Sequence, residues 1–252
     1  MSEFEDPAAV IIKHNNPTGV ASDKTLESAY KAAYSCDPLS AFGGIIGLNR
    51  KVDVKTAQAV AQSGFMECTI APGYDQAAFN ILSQKKNIRI VELNLNDLKK
   101  DRFDFKKITG GLLLQETDTK DLDLKDLKVV TRIKPAKSQL ASFRFAWKVV
   151  KHTKSNAIVL VKGTKTVGIG CGQTSRVDSA HTALRKAGKN ARNSLLASDA
   201  FIPKKDTITL AAKAGVKAII QTGGSIADPE CIKEADKAKI SMVTTGIRHF
   251  KH

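Results

Sequence analysis

The pair Lys13-His14 directly follows Ala8-Ala9-Val10-Ile11-Ile12, a short apolar, β-branched run that reads as a buried strand. Ligands of open α/β sheets collect beyond the carboxyl ends of strands. A lysine beside a histidine there offers a cation and a group titrating near neutrality. From this feature alone the plainer reading is a solvated basic turn. A second candidate is Val167-Gly168-Ile169-Gly170-Cys171-Gly172-Gln173-Thr174-Ser175-Arg176: a strand, a glycine turn and a helix start. Glycines permit close backbone approach, a helix N-terminus attracts anions, and Arg176 can fork onto a phosphate or carboxylate. Gln173 breaks the full G-x-G-x-x-G fingerprint, and close packing of strand on helix accounts for the glycines as well. Gln221-Thr222-Gly223-Gly224-Ser225 is either an anion nest or a plain turn. Asp199 is either a buried carboxylate or a turn cap. The terminal Arg248-His249-Phe250-Lys251-His252 has histidines three apart but no acidic or cysteine partner nearby, which argues against a metal there. Zinc-deaminase, Walker A, G-x-S-x-G and H-E-x-x-H signatures are absent.

Such residues need a scaffold, and the pattern supplies one. Strands are predicted at 8–12, 42–48, 67–71, 88–93 and 111–115, then at 157–161, 167–170, 216–221 and 240–244. Helices are predicted at 25–34, 53–63, 75–84, 138–150, 176–187, 208–214 and 229–238. Residues 13–19 read as a polar turn, 94–105 as a charged loop and 118–128 as a connection. Strands alternating with helices argue an α/β fold with mainly parallel pairing, and the second half repeats the pattern of the first. The 252 residues are 42% hydrophobic and 26% charged, enough to bury a core and too apolar for wholesale disorder. Four well-separated cysteines and no apolar run long enough for a bilayer point to a reducing, cytoplasmic setting. A net charge of +15 favours an anionic partner. Nucleic acid is the weaker choice, because three Tyr, one Trp and dispersed basic residues offer little for stacking.

Taken together, the segments resemble a known family. Lys13-His14-Asn15-Asn16-Pro17-Thr18-Gly19-Val20-Ala21 is similar to the K-H-x-N-P-x-G-x-A motif of the AICAR transformylase domain of the bifunctional AICAR transformylase/IMP cyclohydrolase enzymes. Asp37-Pro38-Leu39-Ser40-Ala41-Phe42-Gly43-Gly44-Ile45-Ile46 resembles its D-P-x-S-A-F-G-G-I-I, and residues 168–177 its G-I-G-x-G-Q-x-S-R-x. Residues 70–87, 146–157, 198–201, 223–226 and 248–252 follow in the family's order.

The resemblance implies two tandem cytidine-deaminase-like α/β subdomains, residues 1–128 and 129–252, with mixed sheets and helices on both faces. It implies a homodimer with sites at the interface, and formyl transfer from 10-formyltetrahydrofolate to AICAR, giving FAICAR. Lys13 would stabilise charge on the formyl oxygen, His14 would shuttle the amine proton, and Asn156 would position the formyl group. Ser175, Arg176, Phe201 and Arg248 would hold AICAR, Asp206 would sit near the pteridine, and Phe250 and His252 would complete the site. Thr153, Ser155 and Asp199 would hold a monovalent cation, K⁺. The family's R-Y-G-x-N-P-H-Q motif and its cyclohydrolase domain do not occur in this sequence. The first subdomain is therefore expected to be incomplete at its N-terminus, and the chain alone weakly active. The competing expectations are a non-catalytic folate- or nucleotide-binding unit and a basic nucleic-acid-binding protein.

Overall fold

Two tight hairpins lie at the centre of the fold in a computed structural model that describes residues 1–98 and 101–252. In the first, β1 (Ala8–Lys13) turns into β2 (Asn16–Ser22). His14 and Asn15 both take left-handed φ there (51° and 60°), as in the two-residue turns that match strand twist. Thr25 caps α1 (Leu26–Tyr34), and Asp37 caps the short α2 (Pro38–Ala41). Then come β3 (Gly44–Leu48), α3 (Val54–Gln62), β4 (Met66–Ala71), α4 (Gln76–Ser83) and β5 (Arg89–Glu92). A separate hairpin, β6 (Phe103–Ile108) with β7 (Gly111–Glu116), and a two-residue strand β8 (Lys128–Val129) connect the halves.

The second half opens with α5 (Leu140–Lys151), followed by the other central hairpin, β9 (Ile158–Lys162) and β10 (Lys165–Gly170). It continues through α6 (Arg176–Ala187), β11 (Leu195–Ser198), α7 (Asp206–Lys213), β12 (Ala218–Gln221), α8 (Asp228–Lys237) and β13 (Ser241–Thr244).

The strands form one sheet in the order β5-β4-β3-β1-β2-β10-β9-β11-β12-β13-β8. Reading outward from the β2–β10 contact, both arms repeat one scheme: an antiparallel hairpin, an antiparallel third strand, then two parallel strands. A tightly turned hairpin can only pair antiparallel, whereas β3-β4-β5 and β11-β12-β13 are joined by helical crossovers and run parallel. Mainly parallel pairing is therefore corrected to an antiparallel centre with parallel flanks. The expected pair of sheets is one continuous sheet, joined where Lys165 pairs with Ala21.

Side-chain alternation assigns the faces. On one face α1, α3 and α4 bury Ala9, Ile11, Ile46 and Leu48, and α6, α7 and α8 bury Ile158, Leu160, Leu196, Ile219 and Met242. On the other face Phe143, Trp147 and Val150 of α5 pack over Val159, Val161, Ala197 and Ile220. Helices thus lie on both faces, but the first half has no counterpart of α5, and Ile45 and Val91 stay exposed there. Gly19 and Gly168 let α1 and α6 sit directly on the central strands. A Cβ on them would come within 1.9 Å of Ala33 O and 2.1 Å of Ala183 O.

Four strands, β2, β6, β8 and β11, are hidden in the sequence. Residues 16–22 carry Asn, Pro and Gly, which signal a turn, yet form the buried β2; Pro17 falls beside the register shift at Ile11/Ile12, and Gly19 answers to the helix above it. Residues 195–198 are too short to show a period, yet form β11 between β9 and β12. The predicted loop at 94–105 runs into β6 from Phe103 on, and its residues 99 and 100 lie outside the described residues. No helix among the described residues is long and apolar enough to cross a membrane.

Candidate functional site

The site is organised by a buried ion pair. Asp199 follows β11 and is wholly buried, while Arg176 is the first residue of α6 and 6% exposed. The Arg176 guanidinium pairs with Asp199 Oδ1 and donates to Ser198 Oγ (2.8 Å), Ala157 O (3.3 Å) and Asn156 Oδ1 (2.9 Å). Asp199 also accepts from the Ala157 amide (3.1 Å) and the Ser155 hydroxyl. Nearly every polar atom here has a partner, as a buried charge requires. Asn156 is held at its other end as well, its Nδ2 donating to Gln173 O (2.9 Å) and Thr174 O (3.1 Å). Ser175 caps α6, its Oγ accepting from the Asp178 amide at 3.1 Å.

Around this cluster opens a cavity of about 460 Å³. Asn156, Ser175, Arg176, Phe201, Asp206, Arg248 and Phe250 all line it, so seven residues whose site roles the resemblance implied converge on one space. The Arg248 guanidinium stacks over the Phe250 ring, 3.9 Å from its centroid. Thr174 of the second candidate segment also lines the cavity, as do Lys204 and Thr207, which were not singled out by sequence. Lys204 had the signal of an extra cation in the Ser198–Asp206 stretch. With Arg248 it gives the cavity cationic side chains, and Phe201 and Phe250 give it flat apolar surface. That combination suits an anionic, planar ligand.

Three predicted residues stand apart. Lys13 points its Nζ to Phe42 O at 2.7 Å, and His14 sits exposed in the β1–β2 turn. His252 lines a different cavity of about 450 Å³ with Asn15, Pro17, Lys148 and Lys154. The β1–β2 turn nonetheless lies at the same end of the sheet as Asn156, because Asn16 Oδ1 accepts from the Lys154 amide at 3.0 Å. Of the proposed cation ligands, Ser155 and Asp199 touch, while the buried Thr153 donates to Val149 O at 2.9 Å. These are oxygen donors only. No group of three or more His, Cys, Asp or Glu among the described residues could hold a metal ion. The Gly223-Gly224-Ser225 nest is filled from within, since Asp228 Oδ2 accepts from the amides of Gly224 (2.7 Å) and Ser225 (3.2 Å). Gly168 and Gly170 serve packing, for a Cβ on Gly170 would meet Ser179 O at 1.9 Å.

The sequence profile of the family described as AICARFT/IMPCHase bienzyme matches residues 1–186. Among curated proteins, the bifunctional purine biosynthesis protein PurH of Thermoanaerobacter sp. (strain X514) is 52% identical over 252 residues, covering 100% of this chain and 49% of the relative. PurH of Persephonella marina is 50% identical and that of Halalkalibacterium halodurans 48%, each again covering 100% of this chain and 49% of the relative. The chain therefore spans about half the length of the curated relatives it matches. With most of its length matched by the profile, the chain belongs to the AICARFT/IMPCHase bienzyme family.

Proposed function

We propose that this chain serves the formyl-transfer half of the family's chemistry: 10-formyltetrahydrofolate donates its formyl group to AICAR, giving FAICAR in purine biosynthesis. The observation that carries the reading is the convergence of Asn156, Ser175, Arg176, Phe201, Asp206, Arg248 and Phe250 on one cavity. In the reaction the 5-amino nitrogen attacks the formyl carbon, a C–N bond forms, and the bond from that carbon to N10 of the folate breaks. His14 takes the amine proton and returns it to N10, and Lys13 stabilises the negative charge on the formyl oxygen. Asn156, fixed at both ends, orients the formyl group. Arg248 and Phe250 hold the nucleotide, Arg176 keeps Asn156 and Asp199 in place, and Asp206 lies toward the pteridine. Thr153, Ser155 and Asp199 supply oxygen ligands suited to K⁺, which would stiffen the turn before β9.

Lys13, His14 and His252 lie outside the cavity, so the reading places the complete site between two copies of the chain. The β6–β7 hairpin supports such a homodimer. Phe103, Phe105, Leu112 and Leu114 share one of its faces and are exposed, up to 68% at Phe105. An isolated two-stranded hairpin is marginal in water and calls for a covering partner. In this reading the halves are tandem cytidine-deaminase-like subdomains and the protein is cytoplasmic.

The test is FAICAR formation by the purified chain supplied with both substrates. Lys13→Ala and His14→Ala are expected to lower turnover by about 10²–10⁴-fold. Saturable AICAR binding without FAICAR would reduce the chain to a binding unit. Retention on DNA with a steep salt dependence and no AICAR binding would overturn the reading.

A further inference from the structure

His249 is wholly buried although it stands between two exposed residues that line the cavity, Arg248 and Phe250. Three contacts hold it. Its Nδ1 lies 2.6 Å from Asp118 Oδ2, its amide donates to Asp199 O at 2.9 Å, and its ring sits 5.0 Å, centroid to centroid, from that of Trp147. Asp118 is a carboxylate and accepts only, so Nδ1 carries the hydrogen. Burial pulls the imidazole below its usual pKa more than Asp118 raises it. Nε2 is buried without a partner, as is Nε1–H of Trp147.

Elsewhere the terminal segment is held by its backbone and by Ile247, half-buried against the core that α5 covers. Ile247 O accepts from the hydroxyls of Thr222 (2.9 Å) and Thr245 (3.1 Å), and Lys251 O accepts from the Ser155 amide (2.9 Å). Among residues 247–251, His249 has the one wholly buried side chain. It joins the segment to the carboxylate-bearing turn after β11, to α5 and, through Asp118, to the connection between the halves.

We infer that His249, seated on Asp118 and Trp147, is a positioning residue that sets Arg248 and Phe250 in the cavity. The inference rests on the proposed nucleotide site. A buried anchor between two exposed ligand-facing residues confines both without drawing on either side chain. The same anchor ties their placement to Asp118, which directly follows the unpartnered hairpin.

Two readouts test it: the dissociation constant for AICAR by calorimetry, and hydrogen exchange of the amides of residues 247–251 without ligand. His249→Ala is expected to weaken AICAR at least tenfold and to speed exchange of the His249 amide. His249→Asn, whose amide can still reach Asp118, should recover most of both effects. Asp118→Asn should fall between wild type and His249→Ala. Phe143→Leu, a core change on the helix that carries Trp147, should lower the melting temperature and leave both readouts unchanged. Equal affinity and equal exchange in His249→Ala and wild type would overturn the positioning role. A wild-type chain that does not bind AICAR would sink the site reading instead, and exchange alone would then decide the role of His249.

Discussion

The two arms of the sheet use one backbone device for different ends. In the second arm the Ala157 amide donates to Asp199 Oδ1 (3.1 Å) and the Asp199 amide to Ala157 O (3.4 Å). In the first arm the Ala8 amide donates to Asn49 Oδ1 (2.7 Å) and the Asn49 amide to Ala8 O (3.2 Å). Both residues follow the third strand of their arm and lock it to the first strand. The helix facing each lock starts alike, with Thr25 capping one and Ser175 the other. Its first residue is Leu26 in one arm and Arg176 in the other. The amide of Asn49 completes itself on Phe4 O (2.9 Å) and Asp6 O (2.8 Å) and closes its end of the arm. The carboxylate of Asp199 needs a cation, and the guanidinium that answers it also grips Asn156 at the cavity wall. Two exchanges at equivalent positions, Asn49 against Asp199 and Leu26 against Arg176, thus separate a structural lock from a candidate site.

The comparison can be broken at its strongest point. Arg176→Leu gives the second arm the residue of the first and leaves Asp199 buried without its cation. Denaturant unfolding is expected to show a loss of about 3–5 kcal/mol. Adding Asp199→Asn should restore most of that stability but not AICAR binding. Conversely, Asn49→Asp sets a carboxylate against two carbonyl oxygens, with the neighbouring Arg50 guanidinium already donating to the carbonyls of residue 49 (2.9 Å) and Glu5. A loss of about 3 kcal/mol is expected at neutral pH, smaller at low pH where protonation restores a donor. Gly19→Ala and Gly170→Ala probe the shared packing of helix on strand. Each places a Cβ 1.9 Å from a carbonyl oxygen, so both should cost about 1–3 kcal/mol in a melting series. A cheap Gly19→Ala beside a costly Gly170→Ala would show that the arms differ in packing as well as in charge.

The smallest expected effect concerns the join between the arms. Glu3 of the first meets Lys151 (2.7 Å) and His152 (2.8 Å) of the second. Burial alone would raise its carboxyl, but hydrogen bonds and charge from His152 and Lys151 outweigh burial and hold it at about 2, against an ordinary 4.5. A folded-state value below the unfolded one means stability that is present above about pH 4.5 and lost as pH falls toward 2. Glu3→Gln should flatten the stability curve across that window and remove about 1–2 kcal/mol at pH 6.

Much of this was legible locally. Helix α6 starts at Arg176 and ends at Ala187 as its cap and period predict, because a capped amphipathic helix is written in neighbours three and four apart. The glycines of residues 168–172 were visible but ambiguous between ligand approach and packing. Only the helix carbonyls of Ala183 and Ser179 above them show that packing claims Gly168 and Gly170. Strand β2 was missed because Asn16, Pro17 and Gly19 carry turn chemistry that a neighbouring strand overrides. His249 was read as half of a histidine pair with His252. Its burial and its bond to Asp118, 131 residues earlier, leave no local trace.

The sequence by itself determined the alternation of strand and helix, the caps, the excess of positive charge and the family to which the chain belongs. Each of these depends on residue type and near neighbours. The tertiary structure alone decided that two arms meet at β2 and β10 in one sheet, that Arg176 pairs with Asp199, and that Lys13 and His14 stand outside the cavity that collects the rest. Those outcomes follow from strand order and from the need of a buried charge for a partner, and both are settled between residues far apart in the chain.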